Sequence, residues 1–241
     1  MGLRMMCAVA HPDDECFGFG GALALSADAG VETYVVCLTD GQAASARGTA
    51  GSGEELGRMR RAEFVASCKV LGVTHHELLD FEDGRLEFVD FSKTAGRLVE
   101  RMRRFRPDVV LTFGGEGGLN THADHMMVSM LTTAAFHWSG RERRYPGLAQ
   151  VFQPRRLFYL STDFFMEDRQ APLPAPWTVK MDIRAAVERK MEAFRRHTSQ
   201  APLVEKTKDM FARYGAYEFY TLAASEEPNE ALVGTDVLAG L

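Results

Sequence analysis

Residues 5–15 read Met-Met-Cys-Ala-Val-Ala-His-Pro-Asp-Asp-Glu, an unbroken apolar run that stops abruptly in a polar cluster. A short run of this kind suits a strand buried on both faces, as found where a parallel sheet is covered by helices. Residues 33–38 (TYVVCL) and 109–113 (VVLTF) repeat the signal, and residues 77–81 and 156–160 repeat it more weakly. Between them lie stretches with helical spacing at residues 18–29, 54–71, 91–105, 122–136 and 183–197, several closed by Gly or Pro. Strands alternating with helices imply an α/β fold: a single-domain, Rossmann-like, mostly parallel sheet flanked by helices, spanning residues 1–241. In such sheets, sites gather beyond the carboxyl ends of the strands.

Composition narrows the function classes. The chain of 241 residues is 46% hydrophobic and 25% charged, with a formal net charge of -5. That balance fits an ordinary globular domain, and no nucleic acid partner is expected. The basic stretches 101–106 and 141–144 read as solvated faces or loops. Cys7, Cys16, Cys37 and Cys68 form no Cys-x-x-Cys pair, and Cys7 and Cys37 lie inside apolar runs, which suits a reducing compartment. The first ten residues are too short in apolar character for a signal peptide, and no membrane span is expected, so a cytoplasmic enzyme is the reading. Residues 168–177 read as a surface loop. The sequence leaves a homo-oligomer open.

Two clusters carry chemistry. The first is His11-Pro12-Asp13-Asp14-Glu15; the second is Thr121-His122-Ala123-Asp124-His125. Each follows a predicted strand. Together they offer two histidines and one carboxylate for a divalent metal, with a carboxylate and a histidine left for proton transfer. Pro12 stiffens the turn. Adjacent carboxylates point apart, so one can bind a cation while the other faces the attacking water. Thr121 reads as an N-cap with Asp124 three residues on, and the i,i+3 spacing puts His122 and His125 on one helix face. The bland alternatives are a turn with a helix cap for the first cluster and a surface helix start for the second. Gly18-Phe19-Gly20-Gly21 lacks the last glycine of a dinucleotide fingerprint, because Leu23 stands there, and reads as close packing. His75, His76 and His137 lack carboxylate company.

At these residues the chain resembles the PIG-L/LmbE-like zinc-dependent N-deacetylases, enzymes acting on N-acetylglucosamine derivatives. Residues 10–15 (AHPDDE) carry the most specific match. The family's second motif is His-Pro-Asp-His, and here it reads His122-Ala123-Asp124-His125. Leu38-Thr39-Asp40-Gly41, Arg60-Arg61-Ala62-Glu63 with Leu71-Gly72, Asp83-Gly84 and His197-Thr198-Ser199-Gln200 also look like family elements. The resemblance implies His11, Asp14 and His125 as ligands of Zn2+, with Fe2+ as the other ion in the cell. It implies Asp13 as general base and a protonated His122 as oxyanion partner or acid. It implies Asp124 as the group orienting His122 or His125, and Arg60 and Asp83 as contacts to a small-molecule amino-sugar substrate. His197 reads equally as a functional group or as a histidine meeting carbonyls at a helix end.

The function expected from all this is metal-dependent removal of an acetyl group from an N-acetylglucosamine-type sugar or conjugate. The alternatives are an amidase acting on a glucosaminyl thiol conjugate, an iron(II) oxygenase with the same donor types, and a non-catalytic metal- or sugar-binding protein. Residues 43–53, 114–120 and 161–177 are the expected selectors of substrate.

Overall fold

A computed structural model describes residues 2–118, 120–162, 174–227 and 234–241. Its centre is β1 (Arg4–Val9), whose residues from Met5 to Val9 are fully buried. To one side lie β2 (Glu32–Thr39) and β3 (His75–Phe81); to the other lie β4 (Val109–Thr112) and β5 (Arg156–Ser161). These five run parallel. The sheet is completed by β6 (Val179–Asp182) and β7 (Tyr217–Ser225), in the order β3-β2-β1-β4-β5-β7-β6, with β7 antiparallel to both neighbours.

The strand order reverses at β1: the chain passes to β2 and β3 on one side and then crosses to β4 and β5 on the other. Loops leaving β1 and β4 therefore diverge and open a crevice between them. The helices are α1 (Asp14–Phe17), α2 (Gly20–Asp28), α3 (Gly53–Leu71), α4 (Phe91–Phe105), α5 (Ala123–Ser139), α6 (Val187–Arg195) and α7 (Ala201–Tyr214). α4 packs on α5, whereas α2 and α3 pack on α6, so the helices form two layers. The core between them includes Leu23, Val36, Leu98, Val110 and Leu131, all fully buried. Each side chain of this size contributes about 1.5–3 kcal/mol when taken out of water.

Several expectations need correction. The helix read at residues 18–29 is α2, which starts two residues later at Gly20, and a separate short helix, α1, precedes it. The break between them lies at Phe19, whose φ of -127° and ψ of 1° depart from helical values, whereas Gly18 before it is still helical. The helix read at 183–197 is a 3-10 turn (Arg184–Ala186) followed by α6. β6, β7 and α7 had no counterpart in the sequence reading. Thr121 is not the N-cap of α5: its φ of 53° places it in a left-handed turn, and His122 takes the capping role, its Nδ1 accepting from the Asp124 N–H at 3.1 Å. The run 101–106 is not simply a solvated face. Arg103 turns inward and donates to the carbonyls of Ser139, Arg141, Arg144, Tyr145 and Leu148, fixing the loop after α5. The four cysteines are buried and free. The loop expected at 168–177 lies outside the described residues as far as 173. Among the described residues, no helix is long and apolar enough to cross a membrane.

Candidate active site

β1 ends at Val9, and the next turn folds back on itself through Asp14. One Asp14 oxygen accepts the N–H groups of Ala10 (3.2 Å) and His11 (2.8 Å). Its other oxygen lies 3.2 Å from His125 Nε2. α5 brings His125 to the same place, after the glycine-rich loop that leaves β4. His125 Nδ1 donates to the Gly117 carbonyl at 3.1 Å, and its ring stacks on Phe113 with centroids 4.0 Å apart. That hydrogen bond assigns the proton to Nδ1 and leaves Nε2 with a lone pair facing inward.

His11 is oriented in the same way. Its Nε2 lies 2.9 Å from Asp83 Oδ1 and 3.2 Å from Asp124 Oδ2. A nitrogen between two carboxylates carries the proton, so Nδ1 turns its lone pair inward. His11 Nδ1, His125 Nε2 and the Asp14 carboxylate then face one another at 3.3, 3.2 and 3.5 Å. Two unprotonated ring nitrogens at that distance repel each other unless a proton or a cation lies between them. Tetrahedral bonds of about 2.0–2.1 Å put donor atoms roughly 3.3–3.4 Å apart, so the spacing fits a divalent cation. Partners holding the outer nitrogen of each ring are also typical of such sites.

The electrostatics are mutually supporting. Burial opposes ionisation of Asp14, but the neighbouring His125 and His11 outweigh it and hold the carboxyl well below its usual range. Burial disfavours a charged His11, yet hydrogen bonds to Asp124, Asp14 and Asp83 push its pKa well up, so without a cation Nδ1 holds a proton that a bound cation would displace. Asp83 and Asp124 are held low despite burial, chiefly by His11.

Asp13 lies beside this cluster. Burial pushes its pKa up to about 6, against the pull of Arg60 and with the push of the Asp14 charge. Arg60, from α3, donates to Asp13 Oδ2 at 2.9 Å, to the Gly41 carbonyl at 3.0 Å and to the Pro12 carbonyl. Arg60 is only 3% exposed. Arg60 and Asp83, expected to touch substrate, are therefore tied to site residues: Arg60 to Asp13, and Asp83 to His11 and to the Ala43 N–H at 2.9 Å. Both still line the cavity.

Asp124 is also reassigned. Its carboxylate meets His11 and the N–H groups of Gly84 (2.7 Å) and Leu86 (3.2 Å), not the rings of His122 or His125. His122 stands with its ring centroid 4.8 Å from that of His11 and 5.2 Å from that of His125. Burial, with His11 and His125 nearby, lowers its pKa. Because Nδ1 already accepts a hydrogen bond, the neutral ring offers Nε2–H to the cavity. The resemblance implies a protonated His122; in the structure the ring lines the cavity while its Nδ1 caps α5.

Sequence reading assigned no role to Glu15, Ser67 or Phe113. Glu15 is fully buried, and its Oε1 accepts from Ser67 Oγ (2.5 Å) and His197 Nε2 (2.8 Å). His197 thus meets a carboxylate, not carbonyls at a helix end. Its charged form is favoured by Glu15 despite burial, and that of Glu15 by His197. The cluster opens into a cavity of about 450 Å3. The site's carboxylates and imidazoles line it together with the apolar side chains of Phe17, Leu160 and Leu203. Of the expected selector loops, Ala43, Ala44, Ser45 and Asn120 reach it; residues 163–173 of the third lie outside the described residues.

Comparison with known proteins places this geometry. A mycothiol S-conjugate amidase of Streptomyces coelicolor is 32% identical over 178 residues, covering 65% of this chain and 60% of that protein. A 1D-myo-inositol 2-acetamido-2-deoxy-alpha-D-glucopyranoside deacetylase of Actinosynnema mirum is 31% identical over 234 residues, covering 82% of this chain and 80% of that protein. The crystal structure of the conserved protein TT1542 from Thermus thermophilus superposes with a TM-score of 0.73 at 25% identity, covering 92% of this chain and 95% of that one. The PIG-L family model, described as GlcNAc-PI de-N-acetylase, matches residues 6–136, a span that holds both clusters. With its strand-end turn, its inward-facing histidines and this match over more than half its length, the chain belongs to the PIG-L family.

Proposed function

We propose that this protein hydrolyses the N-acetyl group of an N-acetylglucosamine-type conjugate, with His11, Asp14 and His125 holding a divalent metal. The observation that carries the reading is the convergence of three inward-facing donors, 3.2 to 3.5 Å apart, beside a separate carboxylate at the base of an open cavity. When bound, zinc, or ferrous iron in its place, supplies Lewis acidity to the acetamide carbonyl and lowers the pKa of water, for zinc to about 7.

The chain's own residues do the rest. Asp13 is not among the three donors, and its raised pKa suits a base that accepts the proton of the attacking water. Arg60 holds that carboxylate in place. Water adds to the carbonyl carbon, the carbon–nitrogen bond breaks, and acetate and a free amine result. The proton taken by Asp13 balances the one gained by the departing nitrogen. His122 offers Nε2–H where negative charge grows on the carbonyl oxygen, and donors preset in that way stabilise the transition state most. Asp83 and Asp124 keep His11 in the required tautomer. The apolar side chains of Phe17, Leu160 and Leu203 suit the less polar face of a sugar or its substituent. The amidase relative favours, as second substrate type, a glucosaminyl thiol conjugate.

The test is a panel of N-acetylglucosamine, a GlcNAc-inositol conjugate, diacetylchitobiose and a glucosaminyl thiol S-conjugate, incubated with zinc-loaded protein under anaerobic conditions. Release of a free amine, abolished by chelator and restored by zinc, is expected for at least one. No hydrolysis of any of them overturns the reading, and a requirement for oxygen would point to the oxygenase instead.

A further inference from the structure

Asp13 has φ 113° and ψ -28°, a backbone conformation that residues other than glycine rarely adopt. Strain of this kind persists only where the surroundings impose it. Three sets of contacts do so. The Asp13 carbonyl accepts from Phe17 N (2.9 Å) and Cys16 Sγ (3.0 Å). The carboxylate accepts from Arg60. The Asp13 N–H donates to Glu15 Oε2 at 2.9 Å.

The last contact is the unusual one. Glu15 is 0% exposed, and a buried carboxylate is costly unless its oxygens are satisfied. Its Oε1 is taken by Ser67 of α3 and by His197, which leaves Oε2 for Asp13. The plane of the carboxylate is therefore set by two elements far along the chain. The turn that carries His197 is itself anchored, since Glu63 of α3 accepts from Thr198 Oγ1, Ser199 N and Ser199 Oγ, each at 2.7 Å. We infer that Glu15, aimed by Ser67 and His197, is a positioning residue that locks the backbone of Asp13 in its left-handed geometry and so fixes where the Asp13 carboxylate stands in the cavity. The inference rests on Asp13 being the base.

Only one methylene separates the Asp13 carboxylate from its backbone. A return to negative φ would turn the Pro12–Asp13 peptide, take the N–H off Glu15 and pull the carboxylate from Arg60. A displacement of about 1 Å at a reacting group is enough to cost roughly 100-fold in rate. Glu15 does not line the cavity, so it acts through Asp13 alone.

The test uses the zinc-loaded protein with two readouts: steady-state kinetics, and hydrogen exchange at the Asp13 amide. Glu15→Leu should lower kcat by about 100-fold with little change in KM or zinc content, and should expose the Asp13 amide to fast exchange. Glu15→Gln keeps an oxygen for the Asp13 N–H, so it should retain protection and lose no more than about tenfold in kcat. Should Glu15→Leu fail to fold, Ser67→Ala removes one of the two groups that aim Glu15. It should speed Asp13 exchange and lower kcat by about threefold or more. Unprotected Asp13 in the folded wild type, or wild-type kcat in Glu15→Leu (or in Ser67→Ala where that variant replaces it), overturns the inference. The exchange readout needs no turnover. Wild-type protein without hydrolase activity but with a protected Asp13 amide would therefore sink the function and leave the lock standing.

Discussion

At the scale of single residues, the site divides its carboxylates by what surrounds them. Asp14 is flanked by two imidazoles and stays ionised; Asp13, one residue earlier, is buried beside that charge and becomes more basic. The division predicts different outcomes for neighbouring substitutions. Asp13→Asn should keep one metal per chain and lose about 100- to 10,000-fold in kcat. Elemental analysis of the dialysed variant checks this, and loss of the ion would contradict the role. His11→Ala and His125→Ala should each lose the metal while remaining folded; full occupancy in either would refute its place as a ligand. Arg60 supplies a third case. A substrate contact, when removed, raises KM, whereas a group that holds the base lowers kcat. Arg60→Met should therefore lower kcat by at least about tenfold with a smaller change in KM, read from saturation curves.

At the scale of elements, the two clusters are presented by the loops that leave β1 and β4. The glycine-rich loop after β4 does more than connect. Gly117 has φ +86°, and a Cβ there would stand 2.9 Å from the His122 carbonyl oxygen and 3.0 Å from its nitrogen. Its own carbonyl holds His125 Nδ1. Gly117→Ala should thus destabilise the fold by about 1–3 kcal/mol through backbone strain and weaken metal binding as well. Urea unfolding together with a metal titration would show both effects; an unchanged metal affinity would mean that His125 does not depend on this loop. α5 begins one residue later than its sequence suggests because His122 caps it. The same ring that satisfies an orphan N–H is thereby given its tautomer.

At the scale of the whole molecule, the antiparallel pair β6 and β7 closes a sheet whose parallel part already holds the site. Glu218 of β7 fastens the two parts: it accepts from Gly21 N (2.7 Å) and Ala22 N (2.8 Å) at the start of α2, from Lys190 Nζ of α6 (2.6 Å) and from Tyr220 Oη (2.7 Å). The atoms proposed to bind the cation come from residues 11, 14 and 125, so an ion held there would link both halves of the sheet. Binding that favours the folded state adds about 2.7 kcal/mol when free ligand stands at 100 times Kd. Chelation should accordingly lower the melting temperature by several degrees, and added zinc should restore it. An unchanged melting curve would mean that the ion does not bridge the halves.

The order of strands and helices in the first two thirds of the chain, and the residue types that carry the chemistry, were determined by the sequence itself. Hydrophobic periodicity, glycine stops and Pro12 act over a few residues, so residues 5–10 and 91–105 are legible without coordinates. The partners of those residues were not. That Asp124 serves His11, that Arg60 serves Asp13 and that Glu15 reaches His197 depends on approaches across 113, 47 and 182 residues. Only the strand order decides them, because it alone brings the ends of β1 and β4 together with α3 and the turn after α6. The hydrogen-bond partners of each ring follow from those neighbours, which is why the contact of His122 Nδ1 with the Asp124 N–H is visible only once the chain is folded.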